Sequence, residues 1–125
     1  MKSQTKPYRW KNEGKLNAWL GELLSPFGKA IKLAGGYFQE SGLPDFCFVQ
    51  WDSRTHFIEC KIWPRELTNK QRVFCETNAR RGINCYSLVY YPDSDVYEVY
   101  NFKTKETHDI LEGKFEYKEL LKCLS

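Results

Sequence analysis

The chain has 125 residues, with 19 Lys and Arg against 16 Asp and Glu and a formal charge of +3. That length sets one domain with a real core, and 42% hydrophobic with 16% aromatic residues excludes a disordered chain. No apolar run reaches the ~18 residues of a membrane-spanning helix, and so mild a net charge permits a nucleic-acid partner without demanding one.

In chain order, residues 1–12 are polar and basic, with Pro7 breaking any early helix, and read as a flexible basic arm ahead of a single domain over 13–125. Leu16, Trp19, Leu20, Leu23 and Leu24 recur at helical spacing, so 15–24 is a helix that Ser25-Pro26 ends. GKAIKLAGG reads as a short strand closed by Gly35-Gly36. FCFVQW (46–51) and HFIECKIW (56–63) are aromatic and β-branched and flank the turn residues Asp52-Ser53-Arg54-Thr55. They form a hairpin whose second strand Pro64 stops. Thr68 and Gln71 stand at capping-box spacing before a helix that runs to Arg81, ahead of Gly82. INCYSLVYY (83–91) is a nearly continuous apolar run, the mark of a strand buried on both faces. Pro92-Asp93-Ser94-Asp95 turns the chain into VYEVYNF, another strand, and FEYKELLKCL is a short amphipathic helix. The order α-β-β-β-α-β-β-α implies an α/β fold, a mixed central sheet with one parallel crossover flanked by helices.

Five cysteines (Cys47, Cys60, Cys75, Cys85 and Cys123) form no CxxC pair, and His56 and His108 lie far apart, so a zinc site lacks its ligands. A disulfide scaffold would be denser. The opening MKSQTKPYRWKNEGK carries no apolar secretory segment, so the expectation is a cytoplasmic protein with reduced thiols packed as small apolar groups.

The strand around Glu59 holds the anomaly. Ile58, Cys60 and Ile62 alternate with Glu59 and Lys61, so two opposite charges share one face. By themselves they describe a solvated face with a weak ion pair. Pro44-Asp45 opens the preceding strand, and an Asp after Pro is by itself turn chemistry. Set opposite Glu59, however, Asp45 completes a two-carboxylate oxygen site that suits Mg²⁺ or Mn²⁺ better than zinc. The register decides, because Asp45 shares that face only if odd-numbered residues pair with odd ones. A four-residue loop at 52–55 would pair residue 45 with residue 62, so the predicted loop has three or five residues, or a bulge.

Pro44-Asp45 followed by Glu59-Cys60-Lys61 resembles the PD-(D/E)xK nuclease motif. GGYFQESGLPDF, FIECK, LTNKQRVF and a helix ending ARRG extend the resemblance over about residues 15–91, to the VRR-NUC branch and the archaeal Holliday-junction resolvases. In those families a glutamine follows the lysine on the next helix. The resemblance implies a restriction-endonuclease-like core. It implies Asp45 and Glu59 as metal ligands with the Cys60 backbone carbonyl as a third, and Lys61 as the group that orients water and stabilises charge at the scissile phosphate. It assigns Gln71 to the support of Lys61 and the metal-site water, and Glu22 to the acidic position of the first helix, with Glu13 as a rival. Gln71 fits a simple helix cap as well, and Glu22 an ordinary exposed acid. The chemistry agrees: a divalent cation neutralises charge developing on the phosphate, and a neighbouring lysine adds to it.

Phosphate contacts would come from Lys29, Lys32, Arg65, Lys70, Arg72, Arg80 and Arg81, with Arg9 and Lys11 in the arm. Trp63 and Trp10 are candidates for stacking on bases, with ordinary packing as the alternative. The implied protein is a Mg²⁺- or Mn²⁺-dependent endonuclease of DNA, with RNA left open, from a bacterial or phage-infected cell. Without room for a specificity domain it would select branched, flapped or nicked structures, and a homodimer would supply two active sites. The competing class is a non-catalytic nucleic-acid-binding protein on a nuclease fold. A hydrolase of small phosphate esters lacks a Gly-rich phosphate loop.

Overall fold

A computed structural model describes residues 10, 12–33, 44–115 and 117–124. The first helix, α1 (Glu13–Leu24), starts two residues before its apolar spacing does, because Asn12 Oδ1 accepts the Lys15 N–H at 2.9 Å and caps the extra turn. After a tight turn over Ser25–Phe27 come β1 (Gly28–Lys32), β2 (Phe46–Gln50), β3 (Thr55–Ile62), α2 (Asn69–Arg80), β4 (Asn84–Tyr91), β5 (Val96–Asn101), β6 (Glu106–Leu111) and α3 (Tyr117–Cys123). Among the described residues the sheet has six strands in sequence order. Only β3 and β4 run parallel, joined by the crossover through α2. This is the expected mixed sheet with helices, plus a strand the sequence reading lacks. In β6 only Ile110 is buried, so an edge strand of polar residues leaves no apolar alternation to read.

The two sheet faces carry different helices. Phe46, Phe48, Ile58, Cys60, Tyr86, Leu88, Tyr90, Tyr97 and Val99 form one core with Leu16, Leu20 and Leu24 of α1 and Leu120 of α3. Alternation turns Phe57, Glu59 and Lys61 to the opposite face, where Phe57 meets Phe74 of α2 edge-on at 5.9 Å. The five cysteines are buried free thiols. His56 is buried too, between Tyr86 Oη (3.3 Å) and Gln50 Oε1 (2.6 Å), and burial pushes its imidazole down to about 4, so it is a neutral structural group.

Two expectations about the N-terminal region change. Trp10, assigned to a loose arm, is buried at the edge of the core. Its ring lies 5.0 Å from Trp19, and its Nε1–H donates to Tyr97 Oη at 2.6 Å, so it is closed to nucleic-acid bases. Arg9 and Lys11 lie outside the described residues.

The hairpin has the loop that two carboxylates on one face require. Gln50 N–H donates to Arg54 C=O at 2.8 Å, leaving Trp51-Asp52-Ser53 as a three-residue loop with Ser53 in the left-handed region (φ 77°). Asp52 accepts from the Arg54 N–H at 3.1 Å and holds the turn. Arg54 and Thr55, read as turn residues in the sequence, already belong to the pairing.

Candidate active site

The β2–β3 register pairs Phe46 with Ile58, which sets Asp45 opposite Glu59 at the open end of the hairpin. Here β2 has only begun, and the Cys60 N–H, two residues past the last paired rung, donates to Asp45 Oδ2 at 2.9 Å. The Asp45 carbonyl accepts from Leu33 N–H at 3.0 Å, so the residue is tied to β3 through its side chain and to the end of β1 through its backbone. In an extended residue N–H and C=O leave on the same side. The Cys60 carbonyl therefore also points past the start of β2, toward the Asp45 carboxylate, while its thiol is fully buried in the core.

Glu59 is 1% exposed, beneath the start of α2. Its Oε2 accepts from Gln71 Nε2 at 3.2 Å and lies 3.4 Å from Lys61 Nζ, itself buried. Its Oε1 is buried with no hydrogen-bond partner. Burial first, and the nearby Asp45 carboxylate second, push the Glu59 carboxyl up to about 8 despite the opposing pull of Lys61. A buried carboxylate with an unpartnered oxygen beside a second carboxylate is an arrangement that a cation would complete.

Gln71 caps the helix and also reaches Glu59. Its N–H donates to Thr68 Oγ1 at 3.2 Å and its Oε1 accepts from the Thr68 N–H at 2.9 Å, a full capping box. The remaining amide N–H₂ is thereby aimed at Glu59. One side chain starts the helix and orients the carboxylate.

The two candidate acids of the first helix lie on different sides of it. Glu22 is exposed on the outer side of α1. Glu13 extends the buried stripe of Leu16, Leu20 and Leu24 by one turn and lines, with Asn17, Ala30, Lys32, Asp45 and Phe46, a cavity of about 500 Å³ between α1 and β1. Arg65 Nη1 lies 3.1 Å from Glu13 Oε2, a charge contact without hydrogen-bond alignment. The helical period carries the signal: residue 13 falls in line with 16 and 20, whereas residue 22 lies midway between 20 and 24. Asn17, whose Oδ1 is buried without a partner, was not singled out by the sequence.

The basic candidates divide. Lys32 lines the cavity beside Asp45, and Arg65 and Arg72 border a second cavity next to Trp63. Lys70 is exposed next to Gln71. Lys29 pairs with Val49, about 13 Å along the strand from Asp45, and Arg80 and Arg81 lie about 13 Å along α2 from Gln71, at its far end. These three are not part of the constellation.

Among the described residues no group of three or more His, Cys, Asp and Glu side chains could hold a metal ion by itself. The set the resemblance implies for a hard, octahedral cation is the two carboxylates plus the Cys60 carbonyl, which would leave the remaining positions to water and phosphate.

The sheet order, the single parallel crossover and the flanking helices define a restriction-endonuclease-like α/β fold. Among the solved structures it resembles is Hjc, a Holliday junction resolvase from the archaeal hyperthermophile Archaeoglobus fulgidus. That likeness has a TM-score of 0.56 at 20% identity, over 87% of this chain and 98% of that one, and it concerns the fold. No protein-family model matches the chain, and no curated protein matches it in sequence. Among the described residues no helix is long and apolar enough to cross a membrane.

Proposed function

We propose that this chain is a divalent-metal-dependent nuclease of the PD-(D/E)xK type, akin to the VRR-NUC and resolvase-like branches, which hydrolyses DNA phosphodiesters and selects structure over sequence. The observation that carries this is the Asp45–Glu59–Lys61 set, with Glu59 and Lys61 buried and Glu59 Oε1 unpartnered. The Lys61 ion pair and the Gln71 hydrogen bond both fall on Oε2 and leave Oε1 to be accounted for.

Asp45, Glu59 Oε1 and the Cys60 carbonyl would hold Mg²⁺ or Mn²⁺. When bound, the ion supplies charge neutralisation at the phosphate and a lowered pKa for water. Gln71 keeps Glu59 Oε2 occupied, which would leave Oε1 for the ion. Lys61, held against Glu59 in a site that excludes bulk water, places its ammonium where charge develops on the phosphate oxygens. Glu13 adds a further acid at the rim, and Lys32, Arg65 and Arg72 meet the flanking phosphates. A single domain of this size reads backbone and shape, which favours branched, flapped or nicked DNA. A homodimer in the cytoplasm is the assembly that would cut two strands.

The test is a panel of branched, flapped, nicked and linear DNA incubated with Mg²⁺ or EDTA. Metal-dependent cleavage that favours the non-linear substrates is expected; tight binding without cleavage of any of them would favour the non-catalytic binding protein.

A further inference from the structure

Two residues beyond the lysine, the same face of the sheet carries an aromatic pair. Lys61 pairs with Val89 and Ile62 with Tyr90, so Trp63 and Tyr91 come next on the side of Glu59 and Lys61. Their rings stack 5.3 Å apart at 30°, and Trp63 remains 44% exposed. They open on a cavity of about 140 Å³ over Val89, bordered by Arg65, Arg72 and Glu98. Tyr91 Oη donates to Glu98 Oε1 at 3.4 Å, which fixes the phenol beneath the indole.

We propose that this slot binds an unpaired nucleobase next to the scissile phosphate, an inference that rests on the nuclease reading above. A flat indole stacks on any base, but in a duplex both faces of each base are already covered by its neighbours, so only a splayed-out base can occupy the slot. Arg65 and Arg72 supply cations for the flanking phosphates, and Glu98 is an acceptor for the amino group of a base at the ring edge. Along the strand Trp63 lies about 7 Å from Lys61 and about 13 Å from Glu59, the reach of nucleotides beside the bond to be cut. The slot gives structure selectivity a physical basis: branches, flaps and nicks offer unpaired bases and continuous duplex does not.

The test compares two flap DNAs, one with bases and one with abasic sites at the first two flap nucleotides. Binding is measured by fluorescence anisotropy in Mg²⁺ on an Asp45→Asn background carrying Trp63, Trp63→Ala or Trp63→Phe, and cleavage is followed in parallel with Asp45 present. With Trp63, removing the bases weakens binding about 10-fold, within the range of stacking on one base. Trp63→Ala weakens the base-bearing flap by a similar factor and abolishes the difference, whereas Trp63→Phe retains most of it. Equal weakening of both flaps by Trp63→Ala, or no change in either, overturns the slot. Base-dependent binding without any cleavage instead refutes the nuclease reading and leaves the slot standing, while cleavage with no Trp63-dependent discrimination does the reverse.

Discussion

Glu59→Gln separates a site built to hold a cation from a structural ion pair, and it does so through stability. With no metal present, burial and the Asp45 carboxylate raise the Glu59 carboxyl from 4.5 to about 8. Between those values the folded chain holds a proton that the unfolded chain has released. Stability from this group is therefore fully present below pH 4.5 and is lost as pH rises to about 8. At about 1.4 kcal/mol per pH unit the loss is roughly 4–5 kcal/mol across that window. Glutamine does not titrate, so the wild type and Glu59→Gln should diverge with rising pH, the variant gaining relative stability. Urea denaturation of both proteins in EDTA at pH 5, 7 and 9 gives the slope. At pH 9, Mg²⁺ should restore stability to the wild type and do nothing for the variant. A difference constant to within about 1 kcal/mol from pH 5 to pH 9 would refute the reasoning that Glu59 is a desolvated carboxylate awaiting a cation.

Other substitutions test neighbouring parts of the account. Gln71→Glu can still form the capping box but adds a third carboxylate, set against Glu59 and beside Asp45. Helix content by circular dichroism should hold while cleavage and its Mg²⁺ affinity fall at least 10-fold. Glu13→Gln should slow cleavage measurably, whereas Glu22→Gln on the outer side of α1 should leave the rate within twofold; the opposite pattern would return the helix acid to residue 22. Gly28→Ala should destabilise by more than about 2 kcal/mol in thermal melts. An added Cβ there would lie 2.2 Å from the Val49 carbonyl oxygen and 2.8 Å from Gln50 Cα, and the backbone it meets is the ladder that aligns β1 with β2.

Much of this molecule was legible because its signals are local. Thr68 and Gln71 marked the start of α2 through a capping box that closes within one turn, and the alternation of Ile58, Cys60 and Ile62 with Glu59 and Lys61 fixed which face each occupies. The demand that Asp45 and Glu59 share that face carried the reading further, since it required a loop other than four residues and the chain supplies one of three. What the sequence hid depends on contacts between distant segments. Trp10 sits in a stretch of polar and basic residues, and its burial comes from Trp19 and Tyr97, far along the chain. The edge strand β6 exposes all but Ile110, so no apolar pattern betrays it. The choice between Glu13 and Glu22 turned on where α1 begins, which the Asn12 cap decides and apolar spacing alone placed two residues late. Arg80 and Arg81 looked like part of a binding surface because they share a helix with Gln71, but two and a half helical turns carry them away from the site.

Asp45, Glu59 and Lys61 are proposed to cut DNA together with a divalent metal. The most direct test is single-turnover cleavage of the best non-linear substrate in Mg²⁺ by the wild type, Asp45→Ala and Lys61→Ala, each first shown to be folded by circular dichroism. The expected result is cleavage by the wild type that EDTA abolishes, and rates lower by about 10²-fold or more in each variant, the scale of losing one charge-stabilising group at a reacting phosphate. Cleavage that persists undiminished in both variants would contradict the account and move the active site elsewhere on the fold.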